Sequence, residues 1–105
     1  MRMEMRTVRE FILEIRLYMI DAVGFSSRDA AHRVMQDAFW DGGYAGRNLD
    51  ALYDVLTSIR RDAEIRIWGV TSAREQIGEY ADAILAVFYA AAARNVHLRL
   101  TVRED

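Results

Sequence analysis

Three stretches of the chain alternate apolar and polar side chains with a period of two, and the stretches between them repeat apolar positions every three or four residues. Phe11, Leu13, Ile15 and Leu17 alternate with Glu14, Arg16 and Tyr18, the pattern of a first strand with the former set turned inward. Asp21 to Phe25 reads as a connection containing Gly24. Ser26 and Asp29 then stand in capping-box spacing ahead of Ala31, Val34, Met35, Ala38 and Phe39, which predicts a first helix over about Ser27 to Phe39. Three glycines, Gly42, Gly43 and Gly46, lead to Asn48, a preferred N-cap residue. Leu49, Leu52, Tyr53 and Leu56 recur from there at i, i+3, i+4 and i+7, so a central helix begins at Leu49 with this stripe toward the core.

After a charged connection at residues 60–64, Ile65, Ile67 and Gly69 alternate with Arg66, Trp68 and Val70 as a short second strand. Ser72 and Glu75 repeat the capping-box spacing at the start of a further helical stretch carrying Ile77, Tyr80, Ala81, Ile84, Leu85 and Phe88, divided near Gly78. Asn95 suits a helix exit, and Val96, Leu98, Leu100 and Val102 alternate with His97, Arg99 and Thr101 as a third strand.

Strand, helices, strand, helices, strand is a βαβ order. It predicts three parallel strands, right-handed crossovers and, with all helices on one face, sequential strand order 1-2-3 in a two-layer α/β domain. At 105 residues the chain fits a single domain over residues 1–105 with one core. Residues 1–9 are polar without a sustained period, either a frayed leader or an extension of the first strand. Trp40 is expected in the core, and Tyr44, beside the glycines, on an open surface suited to contact.

Composition narrows the chemistry. Cysteine is absent, which excludes disulfides, thiolate nucleophiles and cysteine-containing metal sites. The N-terminal stretch has no apolar core of signal-peptide length, and no run of about 18 apolar residues occurs; the default expectation is a cytoplasmic protein that does not span a membrane. All fourteen basic residues are Arg, yet they are interspersed with acidic ones and the formal net charge is −2, so no basic block marks a nucleic-acid binder.

At 100° per residue, Asp50, Asp54 and Thr57 point together on the central helix, away from its apolar stripe, with Arg47 near them at the helix entrance. Asp50 in the first turn complements the helix dipole, whereas Asp54 lies beyond that turn, where Asp is a poor helix former; no local rule explains it. Paired carboxylates could do acid and base chemistry only in a concave, partly dry site, which adjacent turns of an exposed helix do not supply. His32 and His97 lie on different elements with no third ligand at motif spacing, and no phosphate loop, dinucleotide fingerprint or nucleophile elbow is present. The expectation is therefore a binding module, not an enzyme, with no metal and no cofactor. Its carboxylates suit a cationic protein cleft.

The run Tyr44-Ala45-Gly46-Arg47-Asn48-Leu49-Asp50-Ala51-Leu52-Tyr53-Asp54 resembles the signature of the barstar family of ribonuclease inhibitors. The motif Gly-x-Asn-Leu-Asp-Ala-Leu-x-Asp matches at Gly46, Asn48, Leu49, Asp50, Ala51, Leu52 and Asp54, and the order of elements agrees over most of Phe11 to Val102. The resemblance implies the same two-layer fold and a bacterial inhibitor of a small basic ribonuclease or nuclease toxin, an immunity protein in the latter case. It implies a partner-binding set of Tyr44, Gly46, Arg47, Asn48, Asp50, Asp54 and Thr57. In that set Asp54 enters the phosphate site, Asp50 meets a neighbouring cation, and Tyr44, Asn48 and Thr57 frame them; Asn48 is alternatively only the helix cap.

The chain departs from the pattern at Ala45, where the family often has an aromatic, at Arg47, where it often has an acid, and at Tyr53, where it often has Trp. The segment Tyr89 to Ala93 lacks the acidic residue expected on the last helix. A regulatory protein-binding module on the same scaffold is the alternative function. A monomer is assumed.

Overall fold

The computed structural model describes residues 15–105. Strand β1 spans Arg16–Asp21 and runs through a 3-10 turn at Ala22–Gly24 to helix α1, Arg28–Ala38. Helix α2 spans Leu49–Ser58, strand β2 Ala63–Trp68, helices α3 and α4 Val70–Ile77 and Glu79–Arg94, and strand β3 Leu98–Val102. The strands are parallel in the order β1-β2-β3, with Tyr18 beside Ile65 beside Leu100 and Ile20 beside Ile67 beside Val102. Those side chains make the sheet's inner layer, against which Met35, Phe39, Leu52, Leu56, Ile84 and Phe88 pack from the helices. Burial alternates along the strands, so the helices cover one face and leave the other to solvent.

The inward face of β1 is the opposite of the expected one. Tyr18 and Ile20 are buried, while Ile15, Leu17 and Met19 are exposed; Phe11 and Leu13 lie outside the described residues. The inward register includes Arg16, so period-two alternation pointed to the other face, although Tyr18 and Ile20 are as apolar as Leu17 and Met19. The choice is made by Tyr18, whose ring packs on Phe39 at 4.8 Å between centroids while its hydroxyl reaches Asp41 at 2.7 Å.

Trp40 is also not in the core: it is 64% exposed, with its indole N–H donating to the Leu17 carbonyl oxygen at 3.1 Å. Phe39, one residue earlier at the end of α1, takes the buried place instead. Two helix starts shift for a similar reason. Ser27, not Ser26, caps α1 by accepting from the Ala30 N–H at 3.0 Å, and α3 begins at Val70 after Gly69, so Ser72 lies inside the first turn and caps nothing.

Gly78 separates α3 from α4 with φ 60° and ψ −133°, a conformation that side chains avoid, which is why one apolar stripe becomes two helices. Asn95 ends α4 and ties it to α2: its amide nitrogen donates to the carbonyls of Leu56 and Ile59, both at 2.9 Å, satisfying the C-terminus of that helix. Its side-chain oxygen accepts from the His97 N–H, forming a turn that leaves Val96 exposed and starts β3 two residues later than its alternation suggested.

Candidate functional site

Helix α2 starts where its sequence says it should. Asn48 is extended (φ −145°, ψ 166°) and its side-chain oxygen accepts from the Ala51 N–H at 2.7 Å. Leu52 and Leu56 are fully buried, with Leu49 and Tyr53 packed at the edge of the core. That orientation leaves Asp50 and Asp54 exposed, one turn apart on the outer face. No cation of the described residues forms an ion pair with either carboxylate.

The carboxylates stand on a ridge between two open grooves, and Asp54 lines both. One, about 530 Å³, lies between α2 and α4 and is bounded by Leu49, Asp50, Tyr53, Ala86 and Ala90. The other, about 540 Å³, lies toward β1 and the loop after α1 and is bounded by Arg16, Tyr18, Asp41, Ser58 and Arg61. Asp41 is held there by Arg16, by the Tyr18 hydroxyl and by the Gly43 N–H at 3.3 Å. Partial burial works against its charge, but these partners prevail and hold its carboxyl below the usual range.

The other expected site residues divide by what they touch. Tyr44 is not on an open surface: it is 3% exposed, packs edge-on against Phe39 and directs its hydroxyl to the Asn48 carbonyl oxygen at 3.3 Å. Burial pushes its phenol up to about 12. Gly46 is needed for close approach, because a Cβ there would stand 2.3 Å from the Ala51 Cβ. Asn48 is the cap. Thr57 is half-buried and donates its hydroxyl to the Tyr53 carbonyl oxygen at 2.8 Å, a bond within the helix. Arg47 is exposed and pairs with Asp29 of α1 at 3.0 Å, where Arg33 also meets that carboxylate. The structure thus brings Asp50, Asp54 and Arg47 to the surface of one segment and places Tyr44 beneath it.

Sequence reasoning overlooked the residues of α1 that hold this segment. The Gln36 amide donates to the carbonyls of Ala45 and Gly46, each at 3.0 Å, and His32 lies against Tyr44. His32 is buried with both ring nitrogens partnered. Its spacing from Tyr44 carries no pattern, and only the packing of α1 on the loop brings the two together. Among the described residues no cluster of His, Asp or Glu could hold a metal ion, and no helix is long and apolar enough to cross a membrane.

Residues 15–103 match the family model described as Barstar (barnase inhibitor). No curated protein matches the chain.

Proposed function

The chain belongs to the barstar family, whose members are inhibitors of barnase-like ribonucleases, and from that premise we propose that this protein inhibits a ribonuclease by inserting the outer face of α2 into a cationic active site. The observation that carries the reading is the pair of exposed carboxylates, Asp50 and Asp54, on a ridge flanked by two grooves. A ribonuclease cleft binds substrate phosphate with cationic side chains. A carboxylate on a preformed helix satisfies those cations with charge-assisted hydrogen bonds, and it offers no bond to cleave. Asp54 takes the phosphate position because it borders both grooves and therefore sits at the crest of the relief. Asp50 meets a second cation toward α4.

Cap, core leucines and the Gln36 clamp fix this geometry before the partner arrives, so little conformational entropy is lost on binding. The partner's rim is less basic than its floor, since Arg47 stands at the entrance of α2 and Arg61 lines a groove beside Asp54. Where that partner is a secreted or injected nuclease toxin, the protein acts as its immunity protein in the cytoplasm.

Titration of a panel of small basic ribonucleases with wild type and Asp54→Ala tests the assignment. Truncating Asp54 should weaken inhibition by about 2 kcal/mol or more, a loss of at least roughly thirtyfold, because it leaves the enzyme's cations desolvated and unpaired. Equal potency of the two proteins removes Asp54 from the site. The absence of inhibition by wild type across the panel favours a regulatory protein-binding module, a reading that draws on Arg47 and on the uncharged Ala86 and Ala90 beside the carboxylates.

A further inference from the structure

The loop that delivers α2 is held from beneath by a chain of hydrogen bonds whose direction can be worked out. His32 of α1 is 2% exposed; its Nδ1 lies 2.7 Å from the Tyr44 hydroxyl, and its Nε2 lies 2.6 Å from the Tyr80 hydroxyl of α4. Tyr44 has one hydroxyl proton, and the Asn48 carbonyl oxygen 3.3 Å away can only accept it. With that bond made, Tyr44 receives a proton from Nδ1–H, which leaves Nε2 as the acceptor of the Tyr80 O–H. The bonds run one way, from Tyr80 through His32 and Tyr44 to the N-cap residue of the carboxylate helix. Arg28 lies over the Tyr80 ring, 4.5 Å from its centroid, and packs against it from the far side.

We propose that neutral His32 is a latch holding residues 44–48 against α1 and α4, and that protonation of His32 releases this loop and so weakens capture of the partner at mildly acidic pH. The imidazolium has no lone pair, so the Tyr80 O–H can no longer donate to Nε2 and must rotate to accept from it. The new charge then sits among rings and hydroxyls, with Asp29 one turn earlier on α1 attracting it and Arg47 on the loop opposing it. Asp29 is already shared by Arg33 and Arg47, and Arg28 stands beyond Tyr80. Burial lowers the His32 pKa first, Arg47 lowers it further, and Asp29 offsets only part of this.

The closed loop therefore binds fewer protons than an opened one. Its stability is complete above the ordinary histidine value of 6.5 and declines as pH falls below it. Opening is local because His32 is covered by Tyr44 from the loop, while α1 and α4 remain anchored by Met35, Phe88 and Ala91.

The latch is tested on the free protein, so its failure is distinct from failure of the inhibitor reading, on which only the consequence for binding rests. Amide hydrogen exchange is followed by NMR at Ala51 and Leu52, whose N–H groups bond to Asn48, and at Ile65 and Ile67 in β2. Corrected for intrinsic exchange, protection at Ala51 and Leu52 should fall between about pH 7.5 and 5, with β2 unchanged.

In His32→Gln that pH dependence should vanish. In Tyr44→Phe, which keeps the ring buried, protection at the two helix amides should already be lower at neutral pH. Imidazole nitrogen shifts should report the Nδ1–H tautomer. Protection that is independent of pH in wild type, a change shared equally by helix and sheet, or an Nε2–H tautomer would each overturn the proposal.

Discussion

Gly46 and Ala51 make a pair whose coupling can be calculated. A Cβ on Gly46 would stand 2.3 Å from the Ala51 Cβ, short of carbon contact distance by more than about 1 Å. Neither atom is at the end of a flexible side chain. Relief requires the loop or the first turn of α2 to move, and that turn is fixed by the Asn48 cap bond to the Ala51 N–H. Gly46→Ala should therefore cost about 1–3 kcal/mol, including about 1 kcal/mol if the cap is lost. Backbone strain adds nothing, because Gly46 does not have a positive φ.

Ala51→Gly alone should cost about 1 kcal/mol through helix propensity. In the double variant the clash is gone, since the remaining neighbours of the new Cβ, Tyr44 Cε1 at 3.6 Å and the residue-51 Cα at 3.8 Å, are ordinary contacts. The double variant should then cost about 1 kcal/mol, not the sum of about 2–4, a coupling of about 1–3 kcal/mol that lies well outside ordinary additivity. Urea denaturation of the four proteins, with the slopes checked for constancy, measures it. Additivity within about 0.5 kcal/mol would refute the close-approach account of Gly46.

Leu52→Ala removes a fully buried side chain and should destabilise by about 2–5 kcal/mol, whereas Asp54→Ala should leave stability unchanged or raise it by up to about 0.5 kcal/mol, because Ala is the better helix former and the repulsion from Asp50 is removed; chemical denaturation of both checks the face assignment of α2. Arg47→Glu should improve binding to a barnase-like enzyme and impair binding to the cognate partner, since like charges across an interface can cost several kcal/mol. Affinities measured for both enzymes that move in the same direction would show that Arg47 serves only its ion pair with Asp29.

The fold was legible wherever the two faces of an element differ in polarity. On α2 the stripe of Leu49, Leu52, Tyr53 and Leu56 has Asp50 and Asp54 opposite it, and cap, start and buried face all follow. On β2, Ile65 and Ile67 alternate with Arg66 and Trp68, and the isoleucines are buried. On β1 the rule pointed to the wrong face, because Arg16 shares a register with Tyr18 and Ile20 while Leu17 and Met19 are as apolar as Ile20, and a tyrosine hydroxyl reaching Asp41 accompanies the face that is buried. Trp40 and Tyr44 exchanged the places expected of them for a related reason. Each has an apolar ring and a polar tip, so its position depends on where a partner for that tip lies: the Leu17 carbonyl at the surface for one, His32 and Asn48 in the interior for the other. Such partners are distant in sequence, and no local spacing announces them.

The residues of the motif also separate by whether the fold needs them. Gly46 and Ala51 allow the loop to meet the helix, Asn48 caps it, Leu52 anchors it, and changing any of them should cost stability. Asp54 contributes nothing of that kind, since it disfavours the helix, lies one turn from a like charge and finds no cation among the described residues. Under the proposed function, a group that adds nothing to stability and is exposed on a ridge is available to a partner, and a carboxylate there suits one that brings positive charge. Arg47 differs because Asp29 already satisfies it within the fold, so it is stable there without a partner and its charge can still bear on which partner is accepted and which refused.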